Sequence, residues 1–131
     1  MTTLIIAAAL VAGALGALLR YGITRAYRDS PARLPLAVLV VNVSGSAVAG
    51  IAVAASSGDP GSALSLIVVS GFAGGLTTFS TFGVETVQLA LDGRWRAAIG
   101  SVAANVVGGC AAFVLAWGYV TVFVVTASLG L

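Results

Sequence analysis

Gly71-Phe72-Ala73-Gly74-Gly75-Leu76-Thr77-Thr78-Phe79-Ser80-Thr81-Phe82 interrupts an otherwise apolar, membrane-length segment. Glycine loses the most backbone freedom on becoming helical, and serine and threonine hydroxyls compete for backbone partners, so this run makes a poor helix centre. It predicts a break. Within a bilayer, backbone that leaves a helix is tolerated only where protein or a water-filled cavity satisfies its amides and carbonyls. The break is therefore expected to line a site or a pathway.

Composition supplies the surroundings. The chain has 131 residues, of which 60% are hydrophobic and 8% charged. A soluble domain of this size could not hide so much apolar surface, so lipid must cover part of it. Four stretches, about residues 3–23, 34–56, 64–91 and 97–125, each approach or exceed the ~20 residues that cross a bilayer. The expected fold class is all-α integral membrane: one four-helix transmembrane domain over residues 1–131, broken in its third helix, in the cell inner (plasma) membrane. The first stretch lacks a basic leading region and is too long for the apolar core of a signal, so it reads as a retained helix. Trp95 and the pair Trp117 and Tyr119 bracket the last helix about 33 Å apart at helical rise, close to the hydrocarbon thickness.

Absences narrow the chemistry. There is no His and no Lys, and Cys110 is the single cysteine. Histidine triads, Schiff-base lysines, Walker loops, disulfides within the chain and His/Cys zinc cages are excluded. The chain is not expected to be an enzyme or to bind nucleic acid, and Cys110 reads as a small packing residue in the membrane.

Three short connectors join the spans. Residues 24–33 and 92–96 fall on one side of the membrane, and residues 57–62, with both ends of the chain, on the other. Arg25, Arg28, Arg33, Arg94 and Arg96 all lie on the first side, with Arg20 near it. The positive-inside rule places those connectors in the cytoplasm.

Polar residues inside the spans form stripes. Asn42, Ser46 and Gly50 recur every four residues in the second helix, as do Ser101, Asn105 and Gly109 in the fourth, so each set shares a face. Such residues serve as interhelical glue or as a ladder of donors for a dehydrating anion. In the first helix, Gly13 and Gly16, with Ala9, Ala14 and Ala17, permit close helix approach, and Arg20 reads as a snorkelling arginine or a site residue. Phe79 and Phe82 share a face of the resumed third helix. Their rings carry positive edges that an anion can contact, with Ser80 and Thr81 offering donors at the same level. Glu85 either pairs with Arg20 or faces a vestibule. Unwound carbonyls near Gly74 and Thr77 are hard oxygen ligands of the kind that hold Na⁺ in discontinuous helices, or else they bond to water and neighbouring helices.

The run from Gly71 to Phe82 with Glu85 after it, Asn42 in the second helix and Gly16-Ala17-Leu18-Leu19-Arg20-Tyr21 in the first resemble the Fluc fluoride channels, also called CrcB proteins. The resemblance covers essentially the whole chain. It implies an antiparallel dual-topology dimer with two fluoride pores and a structural Na⁺ at its centre. By that likeness Gly74 and Thr77 would give carbonyls to the Na⁺, Phe79 and Phe82 would form an aromatic box, Asn42 would donate to the ion, and Ser80 and Thr81 match the hydroxyl positions between the rings. The fourth-helix positions Ser101, Asn105 and Gly109 match the family's polar track less well. The one-sided arginines also depart from the near balance that dual topology requires, which points to one main orientation and an oppositely biased partner.

The leading reading is passive, selective export of fluoride from the cytoplasm. A proton-coupled four-helix multidrug exporter is disfavoured because the first helix has no mid-membrane carboxylate. A non-conducting assembly protein, with the polar stripes acting only as glue, is the remaining reading.

Overall fold

The structure, a computed structural model, describes residues 1–27 and 35–130. Arg28, Pro31 and Arg33 of the first connector lie outside the described residues. Four long helices follow one another: α1 (Thr2–Ala26), α2 (Leu36–Ala55), α3 (Ala63–Leu91) and α4 (Trp95–Leu129), each long and apolar enough to cross a membrane. Little of this surface is internal. Val38, Val41 and Leu76 are the largest fully buried side chains, while Leu10, Leu18, Val107 and Leu115 all stand exposed. Lipid is the solvent for most of the bundle.

Local chemistry sets the turns. Ser62 caps α3 by accepting from the Ser65 amide at 3.1 Å, and Ser65 in turn bonds the Ser56 hydroxyl and the Asp59 carbonyl, both at 2.9 Å. The turn into α4 uses Gly93 at φ 73°, a left-handed conformation that costs glycine no Cβ clash. Two bonds close it, Gly93 N–H to the Ala90 carbonyl at 3.0 Å and Arg94 N–H to the Leu89 carbonyl at 2.9 Å.

Two seams hold the helices. Along the first, α1 and the early part of α3 run side by side with glycine against backbone. A Cβ on Gly16 would overlap the Phe72 carbonyl, and one on Gly75 would overlap the Gly13 carbonyl. Along the second, α2 lies beside α4 with Asn42 against Asn105, Ser46 against Gly109 and Gly50 against Phe113. The two polar stripes of the sequence thus face each other.

The third helix is irregular over more of its length than the sequence predicts, but unwound over less. After one α-turn, Leu66–Ala73 is π-helical, and Gly74–Leu76 resumes an α-turn. Only Thr77 (φ −78°, ψ 160°) and Thr78 (φ −147°, ψ 117°) are extended before Phe79–Leu91 continues as α-helix. The expected unwinding at Gly74 is therefore corrected: its backbone is helical at φ −62°, ψ −40°. The glycines serve close packing, and the hydroxyl pair that follows makes the break.

Candidate functional site

Thr77 ends the first part of α3. Its N–H and its hydroxyl both donate to the Ala73 carbonyl at 2.9 Å, which consumes one orphan acceptor of the helix end. Thr78 begins the second part. Its hydroxyl accepts from the Thr81 amide at 3.2 Å and donates to the Thr81 hydroxyl at 3.0 Å, an N-cap worth about 1 kcal/mol.

The extended Thr78 peptide is held from α2. Its N–H donates to Asn42 Oδ1 at 2.8 Å, which fixes the amide's orientation, and Asn42 Nδ2 donates to the Thr78 carbonyl at 3.3 Å. Asn42 thereby pairs with the peptide as a neighbouring strand would. Its Nδ2 also donates to Asn105 Oδ1 at 2.9 Å, and Asn105 Nδ2 donates to the Ser101 carbonyl at 3.0 Å. Both Nδ2 hydrogens of Asn42 are committed. Asn42 is first of all the clamp of the break.

Arg20 does not snorkel. It turns into the bundle and donates from Nη1 to the Thr77 carbonyl at 2.9 Å. A charge-assisted bond of this kind contributes about 1.5–3 kcal/mol. The alternative pairing with Glu85 is not made: Glu85 Oε2 is buried without a hydrogen-bond partner, as are Thr86 Oγ1 and Ser101 Oγ. Beside Arg20 a cavity of about 260 Å³ opens, lined on its polar side by Tyr21, Thr24, Thr78, Ser80 and Thr81 and floored by Val38 and Val41.

The structure divides the sequence candidates into two groups that meet at Thr78. Ser80 and Thr81 belong with the Arg20 cavity, whereas Asn42, Asn105 and Ser101 form the line between α2 and α4. Phe79 and Phe82 stand with ring centroids 6.0 Å apart, tilted by 55°. Phe79 is 84% exposed, a large apolar ring projecting beside a polar break. Two residues escaped the sequence reading. Thr78 was hidden in the hydroxyl run, although a threonine three positions before another hydroxyl is a capping signal. Thr86 falls four residues after Phe82, on the same helical face, and that spacing was its only mark.

The break also has an electrostatic consequence. A helix interrupted in mid-span gains a second pair of ends, with carbonyls at the close of the first part and amides at the start of the second. Cation-favouring and anion-favouring groups come to lie a few residues apart.

Comparison with known proteins agrees with this arrangement. The family model described as CrcB-like protein, Camphor Resistance (CrcB), matches residues 7–117. The fluoride-specific ion channel FluC of Serratia proteamaculans is 37% identical over 84% of this chain and 88% of its own. FluC 1 of Nocardia farcinica is 47% identical over 77% of this chain and 70% of its own. FluC 2 of Rhodococcus jostii is 42% identical over 86% and 92% respectively. With its four apolar helices, a third helix pinned open in mid-span and these matches over most of its length, the chain belongs to the CrcB/FluC family.

Proposed function

We propose that this chain forms a fluoride-selective channel that lets fluoride leave the cytoplasm passively. The observation that carries the reading is the break at Thr77 and Thr78, clamped by Asn42 and opening a fresh helix N-terminus beside hydroxyls and two phenylalanine rings. Fluoride is small and tightly hydrated, so a pore must replace its water with several fixed donors without trapping it on a bare charge. Ser80 and Thr81 supply hydroxyls, and Phe79 and Phe82 supply ring edges. Arg20 draws the anion toward the cavity while its charge is shared with the Thr77 carbonyl. Beyond the rings, Asn105 and Ser101 continue the path, and Asn42 serves it by exchanging its bond to Asn105 for one to the ion.

The same reading includes a second four-helix subunit in antiparallel orientation. Phe79 at 84% exposure supports it, because such a ring needs a partner to become part of an enclosed wall. The arginine bias supports one main orientation for this chain and an oppositely biased homologue as partner. A Na⁺ ion fits between two such copies: the Gly74 carbonyl lies at the negative end of a helical part, and the Thr77 carbonyl keeps one lone pair beside the bond from Arg20. These are hard oxygens, and two copies would present four of them. The ion would supply charge that holds the two broken helices together.

Fluoride efflux from liposomes, read with an electrode against chloride, tests the function, with the chain alone and co-reconstituted with an oppositely biased four-helix homologue. Fluoride flux well above chloride is expected. No fluoride flux in either preparation, or equal chloride flux, overturns the proposal. Cysteine-labelling maps of connector orientation test the pairing, and equal populations of both orientations for the chain alone would sink it.

A further inference from the structure

α4 is longer than the bundle in which it packs. Asn42 meets Asn105, Ser46 meets Gly109 and Gly50 meets Phe113, all at the same separation of 63 positions. α2 and α4 therefore run parallel in fixed register, and Ala55, the last residue of α2, is level with Gly118. α4 continues as unbroken helix to Leu129. Residues 119–129 overhang their neighbour by about 16 Å at helical rise, and they lie outside the part of the chain that the family model matches.

The overhang has the chemistry of a membrane segment. No charged residue occurs from Ala97 to Leu129. Val122, Phe123, Val124 and Val125 are 63%, 64%, 54% and 50% exposed, and four successive positions take in every face of a helix. Its hydroxyls ask nothing of water: Thr121 donates to the Trp117 carbonyl at 2.8 Å, Thr126 to that of Val122 at 3.0 Å and Ser128 to that of Val125 at 2.8 Å. A helix apolar on all sides suits lipid rather than a one-faced protein contact. No pair of small residues four apart marks a seam for another helix. The surface is also continuous with the exposed flank of α4 at Val106, Val107, Val114 and Leu115.

Tilt cannot absorb the surplus. The 35 residues of α4 extend ~52 Å, and even a 40° tilt leaves ~40 Å against a hydrocarbon thickness of ~30 Å. α2, locked to α4, has 20 residues and extends only ~30 Å. We propose that residues 119–129 dock among the lipid acyl chains of the leaflet opposite the Arg94 and Arg96 connector, turning at Gly118, where a side chain would meet nothing within 4 Å.

The test uses the full chain in phosphatidylcholine vesicles, with Trp95→Phe and Trp117→Phe leaving Phe123→Trp as the only indole. Blue-shifted emission that loses most of its intensity to lipids brominated on the acyl chain, and little to aqueous iodide, is expected. The same result is expected from Val124→Trp on another face, which also covers the case in which the first variant misfolds. Red-shifted emission quenched by iodide overturns the proposal in favour of water. Protection from both quenchers at either position overturns it in favour of a protein partner, such as a second copy. Neither readout depends on ion flux.

Discussion

The α1–α3 seam and the α2–α4 seam begin from the same device, small residues at helical spacing, and end differently. Along α1 and α3 the small residues are glycines set against backbone, Gly16 against Phe72 and Gly75 against Gly13. Along α2 and α4 the same spacing carries amides as well, and Asn42 reaches both Asn105 and the broken peptide at Thr78. One seam fixes distance and the other fixes a bond pattern. A steric fault is therefore expected to destroy the first seam, whereas a chemical fault disables the second and leaves the bundle assembled.

The largest effect should come from the steric side. Gly16→Val places branched carbon atoms where a bare Cβ already overlaps the Phe72 carbonyl. Because backbone cannot yield as a side chain can, the cost should exceed the 1–3 kcal/mol usual for overpacking, by about as much again. Loss of a monodisperse species in detergent gel filtration is expected; a well-folded variant would show that the seam is looser than the geometry implies.

Next in size is the chemical fault at Asn42. Asn42→Asp removes the Nδ2 donors to the Thr78 carbonyl and Asn105, and it adds charge that repels an anion. Fluoride flux should fall to background while the elution profile stays that of wild type. Normal flux would remove Asn42 from both the clamp and the pathway.

Phe79→Ile and Phe82→Ile keep apolar bulk and delete the ring edges. Strongly reduced fluoride flux with assembly intact is expected. If both variants conduct as wild type does, the rings are packing residues and the α2–α4 line alone carries conduction.

The smallest effect concerns the join between the two seams. Thr78→Ala removes the cap of the second half of α3, at a cost of about 1 kcal/mol, and Thr78→Ser should restore it. Thermal unfolding in detergent checks this, with the alanine variant melting a few degrees lower and the serine variant close to wild type. Equal melting of both would mean that Asn42 alone holds the break.

Much of this was legible in the chain itself. Four spans follow from apolar length, and the site followed from the one run where helix-breaking residues sit in mid-membrane. The grouping within that run was not legible. Gly71, Gly74 and Gly75 looked like part of the break, yet they lie in helical backbone, because glycine serves close approach as readily as unwinding. Arg20 read as a snorkelling residue because a sequence cannot tell which way a long side chain turns when both its membrane edge and an orphan carbonyl are within reach.

Composition and periodicity by themselves determined that this protein lives in lipid, crosses it with four helices and interrupts the third. Those properties depend on transfer free energy and on backbone preference, which are summed residue by residue along the chain. Only the tertiary structure decided that the interruption narrows to Thr77 and Thr78, that Asn42 and Arg20 hold its two peptides, and that Glu85 stands apart from Arg20. A hydrogen bond needs its partner within about 3 Å and in line. Residues 36 and 57 positions apart in the chain meet that condition only after the helices have packed.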